Sequence, residues 1–273
     1  MFPPERIVCL TEETVETLYL IGEERRIVGV SGYAVRPPRV RREKPRVSAF
    51  ISADFEKILA LKPDLVLTFS DLQADIAAEL IRRNVAVHAF NQRDIGGIFA
   101  MIRTLGALVG AAEKAEALAV ALEDRLDEVS ERSSQLPRRP RVYFEEWDEP
   151  MISGLKWVAE LIEIAGGREV FPALAKNKNA VDRIVTPPAV VEAAPDIIIG
   201  SWCGKKFVPA KVKARAGFGT IPAVRDDELH EIKSALILQP GPAALTDGLD
   251  QLVRIIAGWA SRMSCRVGSQ SKV

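Results

Sequence analysis

Lys57–Ser70 reads KILALKPDLVLTFS, and Ala189–Cys203 reads AVVEAAPDIIIGSWC. Each is the end of an amphipathic helix, a Pro-Asp pair, and a short apolar run closing on a polar residue beside an aromatic, Phe69 or Trp202. Apolar runs with few alternating polar residues suit strands buried on both faces, as in parallel sheets. Their recurrence predicts two related halves. A second pair precedes them. Arg6–Leu10 (RIVCL) enters a helix ending near Gly22, and Arg141–Glu145 (RVYFE) precedes a helix ending near Gly166 and Gly167. The prolines Pro63 and Pro195 lie 132 residues apart and the glycines 144, so the halves are related through insertions and are not copies. Each glycine stands where a helix C-terminus favours a left-handed residue.

Working outward, strand-like runs alternate with helical stretches at Ile7–Leu10, Ile27–Val30, Leu65–Thr68, Val85–Phe90, Val142–Phe144, Ile197–Gly200 and Leu236–Leu238. That alternation predicts α/β lobes with mainly parallel sheets. Ala111–Ser133 contains no Gly or Pro and places Leu118, Leu122, Leu126 and Val129 on one helical face. At 1.5 Å per residue it forms a rod of roughly 35 Å. Pro137–Pro140 then stops it. The fold class expected is α/β: two Rossmann-like lobes with mainly parallel sheets joined by one long backbone helix. The boundaries expected are an N-terminal lobe over 1–110, a linking helix over 111–136, a C-terminal lobe over 137–262 and a polar, fraying tail over 263–273.

Composition narrows the function. The chain has 273 residues, 48% of them hydrophobic, with 37 basic and 37 acidic side chains. That balance gives no basic footprint, so nucleic acid is not an expected partner. The basic stretch Arg39–Arg46 lacks the interleaved aromatics of a single-strand binder and reads as a solvated loop. Three widely spaced cysteines and two histidines give neither a disulfide framework nor a metal pattern, and no metal site is expected. Phosphate loops are absent. Glu12, Glu13 and Glu16 interrupt the first apolar stretch, so no signal peptide is read and the expected location is cytoplasmic, or periplasmic with a leader removed.

Two α/β lobes joined by a stiff helix resemble the helical-backbone class of substrate-binding proteins, the receptors of ABC importers for vitamin B12 and iron–siderophore complexes. The resemblance spans Arg6 to about Trp259. Its most specific signature is Val30-Ser31-Gly32-Tyr33, Pro37-Pro38, Val47-Ser48-Ala49-Phe50, Phe55-Glu56-Lys57-Ile58 and Leu61–Val66, in the order found in the first lobe of the vitamin B12-binding proteins. The second lobe matches through Ser153-Gly154, Ala165-Gly166-Gly167 and Ala194-Pro195-Asp196. The resemblance implies a non-enzymatic receptor with cobalamin or a related corrinoid as its ligand and no catalytic cofactor. It implies an ABC permease as partner, docked through one glutamate per lobe. Glu56 occupies the first position; Pro188 occupies the second, with Glu192 one turn later as the nearest acid. Tyr33 matches a family tyrosine, and Phe50 and Phe69 fall where the family places tryptophans.

The residues point the same way. Ligands of open parallel sheets sit beyond the carboxyl ends of the strands. Tyr33, Phe50, Phe69, Trp147 and Trp202 fall at such edges in a chain with only 6% aromatics. Flat rings suit a large planar ligand, although each could equally cap a sheet edge. Glu12, Glu13, Glu145 and Glu146 crowd the same loops and could orient a ligand rich in amides. Glu12 and Glu13 also suit the first turn of a helix. Lys205, with Lys206, could meet an anionic group. Cys203 beside these lysines, with the Glu145–Glu146 pair, leaves open a rival reading as a cytoplasmic corrinoid-handling enzyme. An iron–siderophore-binding protein is a further alternative.

Overall fold

The structure, a computed structural model, describes residues 2–270, the last six of these as helical backbone. The chain divides into two compact units. One comprises residues up to 122 with Gln239–Pro242, the other Glu123–Leu238 with the residues from Ala243 onward. The division falls inside the long helix, Ala112–Ser134.

The first unit holds five strands: β1 (Ile7–Cys9), β2 (Ile27–Ser31), β3 (Arg46–Ser48), β4 (Leu65–Phe69) and β5 (Val87–Phe90). They form one parallel sheet in the order β3-β2-β1-β4-β5. Helices link successive strands, as parallel pairing requires. Val8, Val66 and Leu67 are fully buried, which accounts for their unbroken apolar runs.

The second unit holds β6 (Arg141–Asp148), β7 (Met151–Ser153), β8 (Arg168–Glu169), β9 (Ile197–Gly200) and β10 (Leu229–Glu231). Their order is β10-β9-β6-β7, with β8 also on β6, and all pairs are parallel except the β6–β7 hairpin. Tyr143, Ile198, Trp202, Phe207 and Phe218 centre its core.

The repeat read from the Pro-Asp stretches is present in both sheets. Each stretch leads into the strand beside its lobe's first strand, pairing Ile7 with Leu65 and Val142 with Ile197. The aspartates make the reason visible. Asp64 accepts from the backbone N–H of Arg6 at 2.9 Å and donates its own N–H to the Arg6 carbonyl at 2.9 Å. Asp196 accepts from the Arg141 N–H at 2.9 Å and donates to the Arg141 carbonyl at 2.8 Å. The glycines also correspond: Gly22 has φ +73° and Gly166 φ +87°. In each, the following N–H reaches back five residues, Glu23 to Leu18 and Gly167 to Ile162, closing the helix in the manner of a Schellman cap.

Two expectations differ from the structure. Leu236–Leu238 is not a strand; Ser234–Ile237 is a single helical turn, which buries Ile237 completely. Residues 263–270 are not a frayed tail but continue the helix Leu249–Gln270; positions 271–273 lie outside the described residues. No described helix is long and apolar enough to cross a membrane.

Candidate ligand-binding site

In the first lobe the loops after β1, β3 and β4 are tied together by one side chain. Gln73 is fully buried. Its amide donates to the carbonyls of Leu10 at 3.2 Å and Phe50 at 2.7 Å, and its oxygen accepts from the Phe69 N–H at 3.0 Å. A buried amide with its bonds made fixes the loops that carry it. Tyr33 follows β2 and is 55% exposed, and Phe50 is half-buried. Ile51 and Leu72, on these same loops, are 72% and 59% exposed and offer apolar surface at the edge. Phe69 is not at the surface: it lies in the core with the Arg93 guanidinium over its ring at 5.0 Å.

Beneath this edge sit Glu12 and Glu13, in the first turn of the helix Glu12–Leu20. Both are buried. Burial lifts Glu12 to about 7; burial and then the neighbouring Glu12 charge lift Glu13 to about 8. Gly241 lies directly on Glu13, so close that a Cβ there would stand 2.4 Å from the Glu13 Cβ. Gln92 anchors the same segment, donating to the Pro240 carbonyl at 3.0 Å.

In the second lobe three acids at the end of β6, Glu145, Glu146 and Asp148, are each matched by a cation. Glu145 is fully buried and grips Arg215 through both carboxylate oxygens, at 2.6 and 2.9 Å. It also accepts from the Tyr143 hydroxyl at 3.0 Å and the Trp202 indole N–H at 2.9 Å. Glu146 pairs with Arg183, itself buried and donating to the Ser153 carbonyl at 2.6 Å. Asp148 pairs with Lys205, whose ammonium sits 3.8 Å from the centre of the Trp147 ring. The lysine beside it holds the Asp148 carboxyl below its ordinary range despite burial.

These positions revise the expected roles. Trp202 is only 2% exposed, and its ring goes to the core, edge-on to Phe207 at 5.0 Å. Phe207 can approach because Gly200 has no Cβ; one there would lie 1.9 Å from the ring. Glu145 and Glu146 are structural anions satisfied by arginine. Trp147 is half-buried, Lys205 exposed, and both remain at the lobe's strand ends. Cys203 is exposed in the turn after β9. Glu56 is exposed and pairs with Arg83 at 3.0 Å, and Glu192 is exposed on the helix Pro187–Ala193. Gln73, Gln92, Arg183 and Arg215 carry no motif and escape a reading of sequence alone. Among the described residues no group of three or more His, Cys, Asp or Glu could hold a metal ion.

Comparison with known proteins places this architecture. A family model described as "Periplasmic binding protein" matches residues 7–236. The chain is 25% identical over 263 residues to the uncharacterized ABC transporter substrate-binding lipoprotein YvrC of Bacillus subtilis, covering 93% of this chain and 80% of that one. It is 25% identical over 255 residues to a vitamin B12-binding protein of Vibrio cholerae, covering 92% and 88%. Solved structures share the fold. A possible iron-binding periplasmic solute-binding protein of Staphylococcus epidermidis superposes with TM-score 0.80 at 22% identity, over 93% of this chain and 99% of that one. The periplasmic heme-binding protein RhuT of Roseiflexus superposes with TM-score 0.79 at 22% identity, over 92% and 99%. The cytoplasmic location expected from the first apolar stretch is overturned by this match, because the family is one of periplasmic proteins. The rival enzyme reading loses its acid–base pair, since Glu145 and Glu146 are each held by a guanidinium. The chain belongs to the periplasmic binding protein family, whose members bind a solute and catalyse no reaction.

Proposed function

We propose that the chain is the substrate-binding component of an ABC importer and that its ligand is cobalamin or a related corrinoid. The observation that carries the reading is the character of the strand ends. The first lobe offers Tyr33, Phe50, Ile51 and Leu72, and the second offers the Trp147 ring with the Lys205 ammonium over it. Large planar ligands bind chiefly by desolvating apolar area, with a few polar groups to set orientation. Similarity to a vitamin B12-binding protein over 92% of the chain supports the ligand class. Glu56 and Glu192, both exposed, are the residues proposed to face the permease.

Haem and ferric siderophores are the competing ligands, since the fold is shared with proteins described as iron- and heme-binding. Mass and absorbance analysis of whatever copurifies with the native protein separates them. A corrin spectrum and mass support the reading; a haem Soret band or a ferric siderophore mass refutes it.

A further inference from the structure

The acids at or just after the end of the first strand of each lobe are held in different ways. In the second lobe Glu145, Glu146 and Asp148 each have a cationic partner. In the first lobe Glu12 and Glu13 have none among the described residues. Glu12 Oε2 and Glu13 Oε1 are buried without a hydrogen-bond partner. The amide oxygen of Gln92, a residue 6% exposed, is likewise buried and unpartnered. Gln92 and Thr11 are the side chains that face Glu13. The Glu13 carboxyl hydrogen-bonds the Thr11 and Gln92 side chains, while Glu12 Oε2, Glu13 Oε1 and Gln92 Oε1 are left without a partner.

A place in the first turn of a helix favours carboxylates through the backbone dipole, but an exposed carboxylate gains from that as well. The dipole does not explain burial. Leaving a buried acceptor unmade is costly, and leaving a buried charge unpaired costs more. An N–H donor from outside the chain would complete it.

We infer that Glu12, Glu13 and Gln92 form an acceptor site for the N–H groups of the ligand, so that the ligand carries primary amides or an ammonium group at this end and not carboxylates. The inference rests on the corrinoid reading and sharpens it, since a corrin edged with carboxamides presents the required donors and a haem edged with propionates does not. Glu12, at 9% exposure, is the more open of the pair, and Gly241 walls off Glu13 from the other side. The group would enter past Glu12. Burial lifts the two carboxyls to about 7 and about 8, so each takes up a proton more readily than an exposed glutamate does.

The test is calorimetric titration of the protein with dicyanocobinamide, whose corrin carries amides, and with dicyanocobyrinic acid, the same ring carrying carboxylates. Haem and the ammonium-bearing ferrioxamine B complete the set. The expected result is binding of the amide corrin at least tenfold tighter than the acid corrin, a preference lost in the Glu12→Ala/Glu13→Ala variant. A thermal melt checks folding, and Glu12→Gln/Glu13→Gln, which keeps the shape, should leave part of the preference. Equal binding of both corrins, or a preference that survives the alanine variant, overturns the acceptor site while the corrinoid reading stands. Failure of both corrins with binding of ferrioxamine B, weakened tenfold by the alanine variant, sinks the corrinoid reading and keeps the acceptor site. Binding of haem alone, or of none of the four, overturns both.

Discussion

Arg215 holds Glu145 through its two terminal guanidinium nitrogens, at 2.6 and 2.9 Å, and the carboxylate it holds is completely removed from water. The same carboxylate accepts from Tyr143 and Trp202, so one buried anion joins β6, the turn after β9 and the segment before Phe218. Removing one partner of a buried pair leaves an uncompensated charge, at a cost of about 3–5 kcal/mol. Arg215→Met should therefore unfold at markedly lower denaturant than wild type. Glu145→Gln/Arg215→Met, which removes both charges, should recover much of the loss. Equal midpoints for the wild type and Arg215→Met would show that the pair contributes little.

The two tryptophans at the second lobe's strand ends should separate by assay. Trp202→Ala opens a cavity in the core beside Phe207, at about 3–5 kcal/mol, and should lower the melting temperature. Trp147 is half-buried and donates only to the Glu149 carbonyl, so Trp147→Ala should melt near wild type. If Trp147 contributes even ~80 Å² of contact, its loss weakens ligand binding by about 2 kcal/mol, roughly thirtyfold. Full affinity in Trp147→Ala would remove that ring from the site.

At the first lobe, Ile51→Ser and Leu72→Ser should leave stability unchanged, because both side chains are already solvated. Ligand affinity should fall in each, by a few-fold to tenfold, as apolar contact is lost. Paired melting and titration of each variant checks this, and unchanged affinity in both would place the ligand elsewhere on the lobe.

Stability should depend on pH in a direction set by the buried acids. Glu12 and Glu13 rise to about 7 and about 8, above the ordinary value of a glutamate in an unfolded chain, about 4.3. Between those values the folded protein binds more protons than the unfolded one, so stability falls as pH rises. The loss begins above about pH 4.3 and is complete past about pH 8. Glu169, which burial also lifts to about 7, adds to the slope. Denaturant midpoints of the ligand-free protein should drop from pH 6 to pH 9, and Glu12→Gln/Glu13→Gln should flatten most of the drop. A wild-type midpoint that rises over this range would contradict the assignment.

Much of the fold is legible in the residues because its rules are local. Pro-Asp before an apolar run marks Leu65–Phe69 and Ile197–Gly200, and a glycine after a helix marks Gly22 and Gly166. Arg46–Ser48, Arg168–Glu169 and Leu229–Glu231 are not legible, because strands of two or three residues carrying Arg, Glu or His are set by their neighbours and not by periodicity. Leu236–Leu238 misleads because one helical turn and one short strand share the same apolar run. At the site, position along the chain locates the strand ends but not which ring faces outward. Trp202 and Trp147 occupy like places in sequence, and only the Glu145 anion, met by the indole of Trp202, draws that ring into the core. Arg215 and Arg183 are unreadable for the same reason: their partners lie 70 and 37 residues away.

The central claim is that the strand ends of this chain bind a corrinoid. Titration of the protein and of Trp147→Ala with cyanocobalamin, dicyanocobinamide, haem and a ferric hydroxamate, followed by heat, tests it most directly. The account predicts one corrinoid bound per chain, with an affinity roughly thirtyfold weaker in Trp147→Ala. Saturable binding of haem or of the ferric hydroxamate, with no heat from either corrinoid, would contradict it.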